Sequence, residues 1–269
     1  MADELTRDAF LGGRLQLWQP AAGYRAGVDP VLLAASVRAQ PGDRVLDLGC
    51  GVGAAALCLA VRVPGVRLTG LEVQPSCAVL AQRNGEAAGA TFEVITGDAG
   101  VMPQALAARS FDHVMTNPPY FDRDHGTAAP DAGRDVAMGE GLSLAAWLDA
   151  GLRRLRPGGS FTMIHRMERL PDTLSGLARR LGAVQVLPIA AREGHAATRF
   201  VLCGVKGRRT PFTLRAPLVM HRGGTHPEDD TAHYTPEAND LLRNAAPMPC
   251  FEDNQGPRAI TAPNSVRST

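Results

Sequence analysis

Arg44-Val45-Leu46-Asp47-Leu48-Gly49-Cys50-Gly51-Val52-Gly53 is the stretch that decides the fold. Its first half is a short apolar run suited to a strand buried on both faces. Its second half has glycine at every other position, which lets the backbone turn sharply and lets a ligand lie against it with no Cβ in the way. Gly53 to Val61 continues as a small-residue helix whose first N–H groups point at the same place. Strand, glycine turn and helix together make a nucleoside-binding unit. Gly49-x-Gly51-x-x-Ala54 also fits a loose dinucleotide fingerprint, so a dehydrogenase is the rival. Asp47 argues against it: a carboxylate two residues before the first glycine can grip an ammonium but sits badly beside a pyrophosphate.

Outward from this stretch, apolar runs alternate with helical spacing, as in a parallel sheet flanked by helices. The strands are expected at Arg44–Gly49, Val66–Glu72, Thr91–Thr96, Phe111–Thr116, Ser160–His165, Ala183–Ala190 and Thr198–Val205. Helices are expected from Pro75 to about Ala88, from Leu142 to Leu155 with Ser143 as N-cap, and over Asp172–Leu181, with Pro157-Gly158-Gly159 as a turn. The last two strands have no helix between them. The expectation is an α/β fold in three layers, with a seven-stranded, mostly parallel sheet and an antiparallel hairpin at one edge. Residues 1–40 form an N-terminal extension with a helix near Val31–Arg38, residues 41–246 the main domain, and Pro247–Thr269, without periodicity, a mobile tail.

Acidic residues close the strands next to the glycine turn. Glu72 ends the second strand, where a carboxylate accepts both hydroxyls of a ribose; Gly97-Asp98 ends the third, where an aspartate accepts from an adenine amino group. Asn117-Pro118-Pro119-Tyr120 ends the fourth. Two prolines stiffen the backbone and remove two N–H donors, leaving a rim of acceptors. The Asn117 side-chain oxygen and the Pro118 carbonyl can hold a substrate –NH₂ with its lone pair toward an electrophile, which is positioning and not base catalysis. Tyr120 and Phe121 can stack on a planar base.

The 269 residues carry 45% hydrophobic and 20% charged residues, ordinary for a globular enzyme. Five scattered cysteines with no C-x-x-C pair argue against a disulfide framework and a zinc knuckle. The first ten residues lack the pattern of a secretory signal, and no apolar run suits a bilayer, so a cytoplasmic protein is expected. Net charge is +1, yet Ser160 to Arg222 holds eleven Lys and Arg against three Asp and Glu, a basic third able to steer a phosphate backbone. Among the remaining candidates, Cys50 and His113 suit packing, and His165, at the end of the fifth strand, can face the pocket. The loop Phe121–Gly141, with His125, has the length of a lid.

VLDLGCGVG, the acid after strand two, GD after strand three and NPPY after strand four resemble the Rossmann-like class I amino-methyltransferases. Phe10–Leu17, Gly23–Ala34, Arg156–Gly159, His165-Arg166, Arg199–Leu202 and Tyr234–Glu237 resemble the bacterial tRNA (adenine-37-N6) methyltransferase family acting on a valine tRNA. The likeness spans roughly residues 10–243. It implies S-adenosylmethionine as cofactor, RNA as partner and no metal. It also implies roles by position. Asp47, Gly49 and Gly51, with Cys50 and Gly53 in the same turn, hold the methionine part. Glu72 with Val73 holds the ribose, and Asp98 with Ala99 the adenine. The Tyr24–Asp29 segment, including Gly27, caps the cofactor. Asn117, Pro118 and Tyr120 hold the base, with Asn117 also touching the cofactor. The alternatives are a glutamine-amide methyltransferase of release factors, a guanine-N2 ribosomal RNA methyltransferase, and an inactive RNA- or nucleoside-binding relative.

Overall fold

The computed structural model describes residues 4–23, 25–119, 142–177, 180–223 and 233–249. Tyr24, Tyr120, Phe121, the loop to Gly141 and nearly all of the tail lie outside them.

A hairpin of β1 (Leu5–Phe10) and β2 (Leu15–Pro20) opens the chain and leads to α1 (Val28–Ser36). The βα core follows: β3 (Arg44–Leu48), α2 (Ala54–Arg62), β4 (Arg67–Glu72), α3 (Pro75–Ala87), β5 (Phe92–Thr96), the single turn α4 (Gln104–Ala107) and β6 (Phe111–Thr116). Next come α5 (Leu144–Arg154), β7 (Leu155–Arg166), α6 (Leu170–Leu177), β8 (Leu181–Arg192), β9 (Ala197–Lys206), β10 (Thr213–Leu214), β11 (Leu218–His221) and α7 (Pro236–Asn244).

The main sheet runs β5-β4-β3-β6-β7-β9-β8, with β10 and β11 along the outer edge of β8. Strand order reverses between β3 and β6, the switch point at whose carboxyl edge ligands bind in such sheets. Burial on both faces explains why the strand is apolar apart from Asp47: Val45, Leu46 and Leu48 are fully buried, each worth roughly 1.5–3 kcal/mol. One face packs on the hairpin, α1 and α2, the other on α5 and α6.

The architecture corrects several expectations. The described sheet holds nine strands, not seven, because β10 and β11 add in parallel to β8. At two and four residues they are too short to carry a periodic signal. The antiparallel hairpin expected from the last two predicted strands is present as β8 and β9, with β9 inserted between β7 and β8 and the two short strands lying outside β8. Pro157-Gly158-Gly159 is not a turn before the fifth strand but a bulge inside β7, where the register to β6 shifts. A Cβ on Gly159 would stand 2.7 Å from the Asp112 carbonyl, so only glycine allows that approach. The extension holds a hairpin besides its helix; Leu15 and Leu17 alternate inward and join the α1 core. Met248 is buried and its N–H donates to the Ala35 carbonyl at 2.8 Å.

Candidate active site

Gly49, Gly51 and Gly53 all adopt left-handed backbone, with φ of 75°, 55° and 85°. The turn is tied to β4. Gly49 and Cys50 both donate to the Leu71 carbonyl, at 2.8 and 3.0 Å. Gly51 donates to Glu72 Oε2 at 2.8 Å, and Gln74 to Oε1 at 2.9 Å. Each Glu72 oxygen thus accepts one backbone N–H and keeps a lone pair for a further donor. A Cβ on Gly51 would meet nothing within 4 Å, so this glycine faces open space.

Asp47 lies beneath the turn, 3% exposed, on the face of β3 covered by α2. Burial pushes its carboxyl up to about 7; a backbone hydrogen bond from Ala56 opposes this and the Glu72 charge adds to it. Its Oδ2 is buried and, among the described residues, has no hydrogen-bond partner. A buried acceptor left orphaned is costly and points to a donor that arrives with a ligand. Asp98 is exposed, with Oδ1 accepting from Gly100 at 2.7 Å. Beside these acids Val73 is exposed and Ala99 is buried.

Thr116 registers with Leu48, so Asn117 leaves β6 level with Gly49. The Thr116 hydroxyl donates to the Leu48 carbonyl and accepts from Trp147 Nε1, both at 2.8 Å. The Trp147 ring fills the space where a Gly49 Cβ would stand, 2.8 Å away. Trp147, on α5, thereby pins the glycine turn and the start of the Asn-Pro-Pro rim together. Asn117 is half-buried, Pro118 buried and Pro119 exposed.

Other candidates fall elsewhere. The Cys50 sulfur points at Gly70, where a Cβ would stand 2.6 Å away, so the side chain packs against β4 and the residue offers the turn only its backbone. Burial, with Asp47 and Glu72 beside it, holds its thiol well above the ordinary range. His113 bonds Ser160 Oγ at 2.7 Å and Asp43 Oδ2 at 3.0 Å, a structural bridge. His165 is buried, which, with Arg169 and Arg166 adding, pushes its imidazole down to about 4 and keeps it neutral. Asp29, in the first turn of α1, accepts from Arg199 Nε at 2.9 Å. Gly27 precedes that helix and lines a groove of about 610 Å³ shared with the hairpin and α7.

Two positions escaped sequence reasoning. Trp147 gave no signal beyond helical spacing. Asn84, on α3, is fully buried: its Oδ1 accepts from Trp18 N–H at 2.8 Å, and its Nδ2 donates to the Trp18 and Val52 carbonyls, each at 3.0 Å. One amide side chain joins the N-terminal hairpin to the glycine turn. A buried polar residue on an otherwise weakly patterned helix was the only available clue.

Residues 26–192 match the model of the methyltransferase small domain. The chain belongs to that family. A Porphyromonas gingivalis relative, named tRNA1(Val) (adenine(37)-N6)-methyltransferase, is 28% identical over 250 residues, covering 86% of this methyltransferase and 91% of its own chain. One from Bacteroides fragilis with the same name is 30% identical over 181 residues, 66% of this chain and 75% of that one. The solved structure of a predicted O-methyltransferase from Agrobacterium tumefaciens superposes with a TM-score of 0.66 at 28% identity, over 82% of this chain and 98% of the other. The class I methyltransferase fold expected from the sequence is thus the fold observed. Among the described residues no group of acids, histidines and cysteines is arranged to hold a metal, and no helix is long and apolar enough to cross a membrane.

Proposed function

We propose that this methyltransferase uses S-adenosylmethionine to methylate N6 of an adenine in a tRNA, in the cytoplasm. The observation that carries the reading is the placement of Asn117-Pro118 level with Gly49, one strand from the orphaned Asp47 carboxylate. The relatives named as tRNA adenine-N6 enzymes, aligned over most of this chain, support the substrate.

The residues fit the cofactor. Asp47 Oδ2 takes its ammonium, the free lone pairs of Glu72 its ribose hydroxyls, and Asp98 its adenine amino group, while the open face of Gly51 admits it without a Cβ. When bound, S-adenosylmethionine supplies an electrophilic methyl on a sulfonium. Asn117 Oδ1 and the Pro118 carbonyl accept the two N–H bonds of the adenine amine and turn its lone pair into the cleft. Tyr120 and Phe121 stack on the base. The amine's surplus proton passes to water after transfer, so no protein base is needed. An alcohol acceptor would need one, and His165, buried and pushed down to about 4, holds its proton too weakly to serve at neutral pH by gaining one.

The test is incubation of the full chain with labelled cofactor and total RNA from a strain lacking the gene, followed by nucleoside analysis. N6-methyladenosine in tRNA is expected; label confined to protein would instead favour a glutamine-amide acceptor. Asn117→Ala should keep cofactor affinity and lose at least ~100-fold in turnover, typical when one positioning group is removed.

A further inference from the structure

The outward face of the N-terminal hairpin is a docking site for RNA; this we infer from Trp18 and its two guanidinium neighbours. Trp18 is half-buried on β2, directly across from Arg7 on β1. Arg83, from α3, stands 4.3 Å from the Trp18 ring centroid, and Arg7 stands 5.8 Å from it. Both arginines are exposed, and among the described residues neither is ion-paired or hydrogen-bonded. The acids beside them along the chain are engaged elsewhere. Asp8, on the opposite face of β1, accepts from Arg25, Gln19 and Thr6, and Glu86, one turn along α3, accepts from Gln82.

A flat aromatic flanked by two unneutralised planar cations matches one partner well: a chain that alternates π-faced bases with phosphates. Arg7, at the outer limit of cation–π attraction, can swing to a phosphate while Arg83 stays stacked. An acidic peptide would use the charges but leave the ring without a partner. The platform is also held still. The backbone N–H and carbonyl of Trp18 are both bonded to Asn84, whose amide reaches the Val52 carbonyl of the glycine turn as well. RNA seated on the hairpin is therefore registered against the cofactor turn through a single buried side chain. This inference rests on RNA being the substrate, as proposed above, and it names where the RNA beyond the target base is held.

The experiment measures binding of deproteinised tRNA to the full chain at several salt concentrations, for the wild type, Trp18→Ala, Trp18→Phe and the double variant Arg7→Ala with Arg83→Ala. Cofactor affinity is measured calorimetrically alongside. Trp18→Ala should weaken tRNA binding roughly 5- to 100-fold, with Trp18→Phe recovering most of it, as expected for one lost stack. The arginine pair should make the log–log salt slope shallower by about 0.7–0.9, the value for the one phosphate contact that Arg7 supplies. Cofactor affinity should not move in either. Unchanged tRNA affinity and salt slope in the arginine pair overturns the proposal, as does a wild type that binds acidic peptide and no tRNA. If Trp18→Ala also loses cofactor, the arginine pair, whose side chains hold nothing else, decides. A wild type that binds tRNA through these residues yet transfers no methyl leaves the docking site standing and removes the proposed activity.

Discussion

Asp47→Asn should stabilise the cofactor-free protein at pH 8 while abolishing tight cofactor binding. Burial pushes the native carboxyl up to about 7, against an ordinary value of 3.8, a rise of about 3 on the pH scale. At 1.36 kcal/mol per pH unit this amounts to ~4 kcal/mol. The sign follows from the direction. Between pH 3.8 and 7 the native state keeps a proton that the unfolded chain has lost, so stability falls as pH rises through that window and the loss is complete above about 7. The amide never ionises, so the variant escapes the loss. Urea unfolding should place the variant level with the wild type or below it by up to ~2 kcal/mol near pH 4, the cost of burying the new NH₂ donors, and the variant should gain about 4 kcal/mol relative to the wild type by pH 8. Cofactor reverses the preference, because its ammonium needs the ionised carboxylate. Titration calorimetry at pH 6 in buffers of different ionisation enthalpy should show about 0.9 proton released per cofactor bound by the wild type, and that contribution missing from whatever binding the amide variant retains. A variant no more stable than the wild type at pH 8, together with wild-type stability flat from pH 5 to 8, would refute the buried-carboxylate account.

Gly49→Ala places a Cβ at φ of 75° and 2.8 Å from the Trp147 ring, so a loss of roughly 1–3 kcal/mol in denaturant unfolding is expected, with weaker cofactor binding; wild-type values in both assays would mean the ring yields freely. Asn84→Ala removes three hydrogen bonds from a fully buried site and should cost roughly 2–4 kcal/mol, with faster hydrogen exchange at the Trp18 amide; exchange unchanged there would contradict the bridge. Cys50→Ala should retain most of its cofactor affinity, since the sulfur faces Gly70, and native-state thiol titration should leave Cys50 unmodified.

Much of the site was legible along the chain because its parts are local. A glycine needed for left-handed backbone, a carboxylate ending a strand and a proline pair fixing a rim each act within a few residues of where they stand. Asp47, Gly49, Gly51, Glu72 and the start of Asn117-Pro118 therefore fell where the pattern put them, around one switch point. The two short edge strands were harder. Thr213–Leu214 and Leu218–His221 become strands only because β8 offers an open ladder, and nothing in two to four residues encodes that partner.

The sequence by itself determined the class of fold, the glycine turn and the acids beside it, since backbone sterics and strand burial are properties of short segments. Only the tertiary structure decided which distant side chains hold that turn in place. Trp147 against Gly49 and Asn84 between Trp18 and Val52 are separated along the chain by tens of residues or more. Their pairing depends on how sheet and helices stack, because a hydrogen bond or a ring contact is fixed by distance in space and leaves no period in the sequence.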